Sequence, residues 1–210
     1  MSLEDASAAD VRRALARVTV WPPDLDPDER YVSVADLVAG GLAARVCRRL
    51  GDPPLRVGES AVVMGLASRL WALLVVPAAR DRVLIDPAAI CARDDDGAVV
   101  LGVREMAGRR DPTNDDVDGV LLAVLGPVVA ALALAPRVLW GNVAASLHAV
   151  PRVHGVPEAA PLVADLLSRA PLAGELDEVG GGRARRRTCC LFYLVPGAGL
   201  CGDCVLDAVP

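Results

Sequence analysis

The sequence predicts an α+β protein with a mainly helical body, a small antiparallel strand pair and a loop-rich C-terminal subdomain. Long stretches rich in Leu, Val and Ala alternate with short connectors of Pro, Asp and Gly, a pattern typical of packed helices. Two β-rich runs occur near the middle of the chain. From Leu176 the composition shifts towards glycine, arginine and cysteine. With 210 residues, 53% of them hydrophobic, the chain suits one sizeable domain, or one domain with a small appendage.

Three helices are predicted in the first part of the chain, at residues 7–18, 34–50 and 59–76. Ser33 precedes the second of them and Asp36 follows three residues later, an arrangement that resembles a capping box. The segment WPPDLDPDERY, residues 21–31, is rich in Pro and Asp and indicates a connector between the first two helices.

Two β-rich runs follow the third helix. They are RVLID at residues 82–86 and AVVLGV at residues 98–103, and the segment PAAICARDDDG lies between them. Because this segment carries Pro, Asp and Gly, we interpret it as a loop that joins the two runs into one antiparallel pair.

The second part of the body is predicted to hold three more helices, at residues 117–134, 138–149 and 157–169. Pro157 and Glu158 suit the first turn of the last one, where a proline loses no hydrogen bond.

The apolar run at residues 119–136 raises the question of a membrane span. It holds 18 residues without a charge, whereas a spanning helix needs roughly 20. Gly126 and Pro127 interrupt it, and no second long run accompanies it. We therefore predict a buried helix in a soluble protein and no integral membrane span.

Charge and composition exclude several classes of function. The formal net charge of −5 argues against a general nucleic-acid-binding protein, which normally carries a basic excess. All 22 basic residues are arginines. Without lysine the chain has neither a P-loop lysine nor a Schiff-base lysine, which excludes Walker-type ATPases and pyridoxal enzymes.

The N-terminal segment MSLEDASAADVRRALARV lacks the basic start, the apolar stretch and the cleavage site of a secretory signal. We therefore expect the protein in the cytoplasm, where thiols are kept reduced. Clustered cysteines in that compartment indicate metal ligands or redox groups before they indicate disulfides.

Four of the six cysteines are crowded near the end of the chain, in the pattern C-C-x10-C-x2-C at Cys189, Cys190, Cys201 and Cys204. A structural zinc site prefers two C-x2-4-C pairs, and adjacent cysteines make a poor one. Disulfides are disfavoured by the compartment. A [2Fe–2S] cluster distributes four thiolates over two irons, which tolerates adjacent ligands. The pattern leaves all three chemistries open but favours the cluster. Gly197, Gly199 and Gly202 add to this, since they allow backbone N–H groups to turn towards sulfur.

The segment RRRTCCLFYLVPGAGLCGDC, residues 185–204, resembles the C-terminal signature of the FhuF-like ferric siderophore reductases. The resemblance includes all four cysteines, the preceding arginines, the aromatic pair at residues 192–193 and the Gly-Asp between the last two cysteines. Upstream, RLWAL at residues 69–73 and PRVLWGNVAASL at residues 136–147 are similar to less specific segments of that family.

The resemblance implies a [2Fe–2S] cluster ligated by Cys189, Cys190, Cys201 and Cys204, with no catalytic residue beyond it. Residues 1–179 would be a helical siderophore-binding body, and residues 180–210 would be the cluster-binding subdomain. The implied activity is one-electron reduction of siderophore-bound Fe(III), with a siderophore of the hydroxamate type. The chain lacks a G-x-G-x-x-G fingerprint, so we expect an external donor such as a flavin reductase or a ferredoxin. We expect a monomer.

The body supplies candidates for the siderophore face, which are Arg69, Trp71, Arg137, Trp140 and Asn142. The basic segment before the first cysteine is expected to raise the cluster potential or to dock an acidic donor, and its arginines are Arg183, Arg185, Arg186 and Arg187. The two isolated cysteines, Cys47 and Cys91, are expected to be buried and inert.

Two other functions remain open. The chain suits a ferredoxin-like carrier that passes electrons to another protein. It also suits a siderophore-binding module whose cysteines hold a structural zinc ion.

Overall fold

The fold is built around one long central helix. The computed structural model describes residues 4–210, and its helix α4, Leu55–Asp81, has 27 residues. The side chains of Leu66, Leu70 and Trp71 are fully buried in its middle. Neighbouring helices and two strands cover α4 on several sides, so that both α-helical and β-sheet elements pack on the same core. The predicted α+β class is confirmed.

The N-terminal helices are shorter than predicted. Helix α1, Ala8–Leu15, begins after Ser7, whose hydroxyl caps its first turn. The predicted helix at residues 34–50 is two helices, α2, Val34–Ala39, and α3, Leu42–Arg49. The break falls at Gly41, whose φ of 85° lies in the left-handed region that glycine adopts without strain. The predicted cap is confirmed, because the Ser33 hydroxyl accepts a hydrogen bond from the backbone N–H of Asp36.

Helix α4 is longer than the predicted residues 59–76 and continues through Pro77. Pro77 lacks an N–H group and costs helix stability, but it is buried, and packing of the apolar residues before it outweighs that cost. Among residues 4–210, α4 is the one helix long and apolar enough to cross a membrane, and 67% of its most apolar window is buried inside the protein. This burial is consistent with a soluble protein.

The predicted strand pairing is wrong. Strand β1, Val83–Ile85, pairs with β4, Gly108–Arg110, and β2, Ile90–Asp95, pairs with β3, Ala98–Val103. The segment interpreted as a loop therefore contains a full strand. It turns back on itself at residues 96–97, which both have positive φ angles, as a two-residue hairpin turn requires.

The following helices form a layer against α4. Helix α5, Asn114–Ala131, starts with the Thr113–Asp116 capping box. The run at residues 119–136 was expected to be one buried helix. Instead, α5 buries only one face and ends at Ala131, inside that run. The remaining helices are α6, Pro136–His148, α7, Val150–Val153, and α8, Ala160–Leu167.

The C-terminal segment starts with a hairpin. Strand β5, Leu176–Gly180, pairs antiparallel with β6, Arg183–Arg186. Gly181 and Gly182 form the turn between them, and both have positive φ angles, as does Gly180 at the end of β5. The expected domain boundary between residues 179 and 180 therefore lies inside this hairpin. After β6 the chain crosses α6 and approaches α4 through a short 3-10 turn at Phe192–Leu194.

Candidate metal centre

The adjacent cysteines are separated by a reversal of the backbone. Leu191, directly after them, has a φ of 65°, a left-handed conformation that is uncommon for a side chain of its size. Its N–H group turns back to the Cys189 Sγ atom at 3.4 Å. The Cys190 side chain is 4% exposed and faces the body. This reversal is how two neighbouring residues come to present their thiols to different surroundings.

Cys190 and Cys201 form a close thiol pair, with their Sγ atoms 3.4 Å apart. Two thiolates bound at about 2.3 Å to one tetrahedral ion would lie about 3.8 Å apart, so this pair has nearly the spacing for one shared ion. In residues 4–210, no group of three or more His, Cys, Asp or Glu side chains is arranged to hold a single metal ion. A [2Fe–2S] cluster places two thiolates on each of two irons, and the pair fits one such half-site.

Backbone N–H groups point at the sulfurs. Besides Leu191, the N–H of Leu206 lies 3.4 Å from Cys204 Sγ, and the N–H of Phe192 interacts with the Cys190 thiolate. Such hydrogen bonds stabilise thiolates and tune cluster potentials. These donors are not the glycines that the sequence suggested. The loop conformation, rather than the absence of a side chain, directs them.

The thiols interact electrostatically. Cys190 and Cys201 share a proton, which lowers the pKa of Cys190 to about 6 and raises the pKa of Cys201. Burial is the largest cause of the raised pKa of Cys189, and repulsion from Cys190 and Cys204 adds to it. The four thiols therefore lie near one another, and within the close pair Cys190 ionises before Cys201.

A buried polar network fastens both cysteine segments to the body. The Ser60 hydroxyl of α4 donates to the Cys190 carbonyl oxygen at 2.6 Å, and the Asn142 amide of α6 donates to Ser60 Oγ at 2.8 Å. Arg186 donates to Asn142 Oδ1 at 2.5 Å and to the Asp203 carboxylate at 2.6 Å. Ser60, Asn142 and Arg186 are all at least 96% buried. Asn142, a candidate for the siderophore face, lies in this network.

The four arginines of the basic segment have different surroundings. Arg186 is 4% exposed and paired with Asp203. Arg185 donates to the carbonyl oxygens of Cys204 and Val205 and pairs with Asp207. Arg187 pairs with Asp177 across the hairpin, and Arg183 is exposed. Three of the four charges are thus paired with carboxylates, and one of these is buried beside the cysteines.

An apolar cavity of about 370 Å³ opens beside Cys190. Its walls include Met64 and Arg69 of α4 and two exposed aromatic side chains, Trp21 at 41% and Phe192 at 42% exposure. The Arg69 guanidinium lies over the Trp21 ring, 5.5 Å from its centroid. No sequence pattern pointed to Trp21, because it lies in a connector that is remote in sequence from the cysteines.

The other candidates for the siderophore face lie apart from this cavity. Trp71 is fully buried, and its Nε1 donates to Ser146 Oγ at 2.9 Å. Arg137 is exposed and bridges to Glu175 at 3.3 Å. Trp140 packs partly against the core. Of the five candidates for the siderophore face, Arg69 alone lines this cavity.

A second, polar cavity of about 390 Å³ lies on the other side of Met64 and Ser68, which line both cavities. Gly202, which lies between Cys201 and Cys204 in the sequence, forms part of its wall. Arg152 and Arg183 add positive charge to the same wall.

The isolated cysteines are buried in the body. Cys47 lies in α3 beside the carbonyl oxygens of Pro54 and Leu55, at 3.8 and 3.9 Å. Cys91 lies in β2, where burial raises its pKa.

The absence of a side chain at Gly141 lets the cysteine segment pack closely against α6. A Cβ atom at this position would collide with the Thr188 hydroxyl, one residue before the adjacent cysteines. We expect Gly141→Ala to destabilise the protein by about 1–3 kcal/mol and to lower its iron content, although alanine favours helix. Gly119→Ala is the matched control, since Gly119 lies in α5 with nothing within 4 Å, and it should stabilise by about 0.5–1 kcal/mol. Chemical denaturation and iron analysis measure both effects.

Thr188→Ala should rescue Gly141→Ala, and failure of this rescue would contradict the proposed contact.

Comparison with known sequence families gives one match. Residues 186–206 match the family described as the FhuF 2Fe-2S C-terminal domain, consistent with a FhuF-like family. The matched range contains all four clustered cysteines together with Arg186 and Asp203. The match indicates a [2Fe–2S] cluster as the cofactor and a redox role. A search of curated proteins found no match to the chain.

Proposed function

We propose that this chain, with its FhuF-type 2Fe-2S segment, is a ferric siderophore reductase whose cluster is held by Cys189, Cys190, Cys201 and Cys204. The observation that carries the proposal is the position of Cys190, which lines the apolar cavity beside α4. A ferric chelate bound in that cavity would lie against a ligand of the cluster. Residues 180–210 would serve as the cluster subdomain of a cytoplasmic monomer.

The electron-transfer step needs one electron and no proton transfer. Siderophores hold Fe(III) through hard, charged oxygens, and Fe(II) binds the same oxygens far more weakly. When bound, a [2Fe–2S] cluster accepts and gives one electron at a time. The reaction would need one electron for each Fe(III) reduced to Fe(II), and an external donor such as a reduced flavin protein or ferredoxin would supply it.

The residues of this chain contribute binding and positioning. The cavity walls exclude water from the chelate, and the apolar surfaces of Met64 and Phe192 provide contact area. The Ser60–Asn142–Arg186 network holds the cysteine segments in place between α4 and α6. No general acid, base or nucleophile is required.

The direct test is single-turnover reduction. Protein reduced anaerobically is mixed with a ferric siderophore and a ferrous chelator, and absorbance reports both cluster oxidation and Fe(II) release. We expect one Fe(II) per oxidised cluster. Protein freed of iron and sulfide is the control and should release none. A fully reduced protein that transfers no electron to any ferric siderophore would refute the proposal.

The second cavity supports a different candidate, an electron carrier. Arg152 and Arg183 line it beside Gly202, so an acidic redox protein would find complementary charge near the last cysteine pair. Rapid electron transfer to a redox protein, without reduction of siderophores, would favour this function. A zinc-holding siderophore-binding module would instead be colourless and contain zinc without iron or sulfide.

A further inference from the structure

Arg69 is the cation of the apolar cavity beside Cys190. It is half-buried, and its guanidinium donates a hydrogen bond to the Gly65 carbonyl oxygen of its own helix, at 2.9 Å. Within residues 4–210 no carboxylate lies within 4 Å of its guanidinium, whereas 15 ion pairs are formed elsewhere. Burial lowers its pKa, with no acidic group acting against this. Its charge is thus partly desolvated and lacks an acidic partner.

The surroundings hold this charge in a fixed place. The guanidinium lies over the Trp21 ring, and His154 packs edge-on against the same ring at 5.9 Å. Trp21 itself has a φ of 54°, a strained conformation for a bulky residue that is typical of functional positions. An arginine stacked on an aromatic ring keeps its N–H donors free at its edge. The donors of Arg69 that do not bond the Gly65 carbonyl oxygen are available to an oxygen anion.

The negative charge of a bound cluster would repel anionic chelates, so a positive charge in the cavity would be needed for them to bind. A [2Fe–2S] cluster with four thiolates carries a formal charge of about −2 when oxidised and about −3 when reduced. An anionic chelate that approaches Cys190 is repelled by this charge, and a cation in the shared wall offsets the repulsion. A cationic chelate needs no such offset and is itself repelled by Arg69.

We propose that Arg69 makes this cavity selective for ferric siderophores that carry a negatively charged group, such as a carboxylate, in addition to their iron-binding oxygens. This inference rests on the proposed reductase function. It is compatible with hydroxamate iron-binding groups, because the selected charge lies elsewhere on the chelate.

The test uses three chelates that share one iron centre. Ferrioxamine B has a free amine and is cationic, its N-acetyl derivative is neutral, and its N-succinyl derivative is anionic. Steady-state reduction gives KM and kcat for each chelate. The gallium complexes of the same three ligands cannot be reduced, so quenching of tryptophan fluorescence gives their affinity independently of electron transfer.

We expect the wild-type protein to bind the anionic chelate about 10- to 100-fold more tightly than the cationic one. Arg69→Gln should raise KM and weaken gallium-chelate binding for the anionic form by a similar factor, and should slightly favour the cationic form. Arg69→Lys should restore part of the preference. Arg56→Gln is the matched control, since Arg56 is exposed, 13 residues earlier in the same helix and outside the cavity lining. That separation is about 20 Å. The control should leave all values unchanged.

The outcomes separate this inference from the function on which it rests. If all three chelates are reduced with equal KM, and Arg69→Gln changes none of them, the selectivity is refuted while the reductase function stands. If no chelate is reduced and no gallium complex binds, the reductase function itself fails. If Arg69→Gln lowers kcat and the cluster potential but leaves gallium binding unchanged, Arg69 acts on the cluster and the inference is overturned.

Discussion

Cys190→Ser is expected to yield protein without a [2Fe–2S] cluster and without siderophore reduction. The Cys190 side chain is 4% exposed and in contact with Cys201 Sγ, so no other thiol of the body can replace it without moving the chain. Serine oxygen is a poor ligand for iron in such a cluster because it is rarely ionised at neutral pH. Iron and sulfide content, visible absorbance and single-turnover reduction should all fall by at least about tenfold relative to wild type.

The isolated cysteines provide the controls for this experiment. Cys47→Ala and Cys91→Ala remove thiols that are equally buried but lie in α3 and β2. We expect each variant to keep a full cluster, with a loss of stability of about 1 kcal/mol from the lost packing. If either variant lost the cluster while remaining folded, or Cys190→Ser kept it, the ligand assignment would be wrong.

Arg186→Gln is expected to destabilise the protein by about 3 kcal/mol and to lower the cluster potential. Removal of one partner from a buried ion pair leaves the other charge uncompensated, which costs about 3–5 kcal/mol, and here partial exposure of Asp203 reduces that cost. One charge roughly 10 Å from the cluster, at an effective dielectric constant of about 20, is worth about 1.7 kcal/mol, or ~70 mV. Chemical denaturation and a spectroelectrochemical titration measure the two effects.

Two further variants distinguish electrostatic tuning from a purely structural effect. Arg187→Gln removes the same charge from an exposed pair with Asp177 and should change stability by less than about 1 kcal/mol. Asp203→Asn removes the negative partner of Arg186 and should raise the potential. Potentials that move in opposite directions in Arg186→Gln and Asp203→Asn support tuning. Equal shifts in Arg186→Gln and Arg187→Gln would contradict a special role for Arg186.

The helical part of the fold was largely predictable, whereas the strand pairing was not. Apolar periodicity located every long helix, and errors arose at Gly41, which separates α2 from α3, and at Pro77, which does not end α4. Strand β2 was missed because three consecutive aspartates suggested a solvated loop. In the fold Asp94 pairs with Arg45 of α3 and accepts a hydrogen bond from the Gly97 N–H at 2.7 Å. The Asp-Gly at residues 96–97 was a hairpin signal in its own right.

The candidate site divides in the same way. The four clustered cysteines stand out in the sequence because they lie in one short segment, and the structure brings them near one another. The cavity is assembled from Trp21, Leu50, residues 57–69 and residues 190–192, which no local pattern connects. Asn142 and Arg186 look like surface residues in the sequence, because burial of a polar side chain depends on partners far along the chain.

The buried network also has a consequence for biosynthesis. Two residues of the body, Ser60 and Asn142, anchor this network. Both come earlier in the sequence than the cysteines that they hold in place. Since chains begin to fold from the N-terminal side during synthesis, helices α4 and α6 can pack before Cys189 leaves the ribosome. The surface of α4 and α6 that binds the cysteine segment can therefore form before the cysteines are synthesised and released. Cluster assembly then acts on a prepared surface, and the iron-delivery machinery of the cell meets four thiols already held near one another.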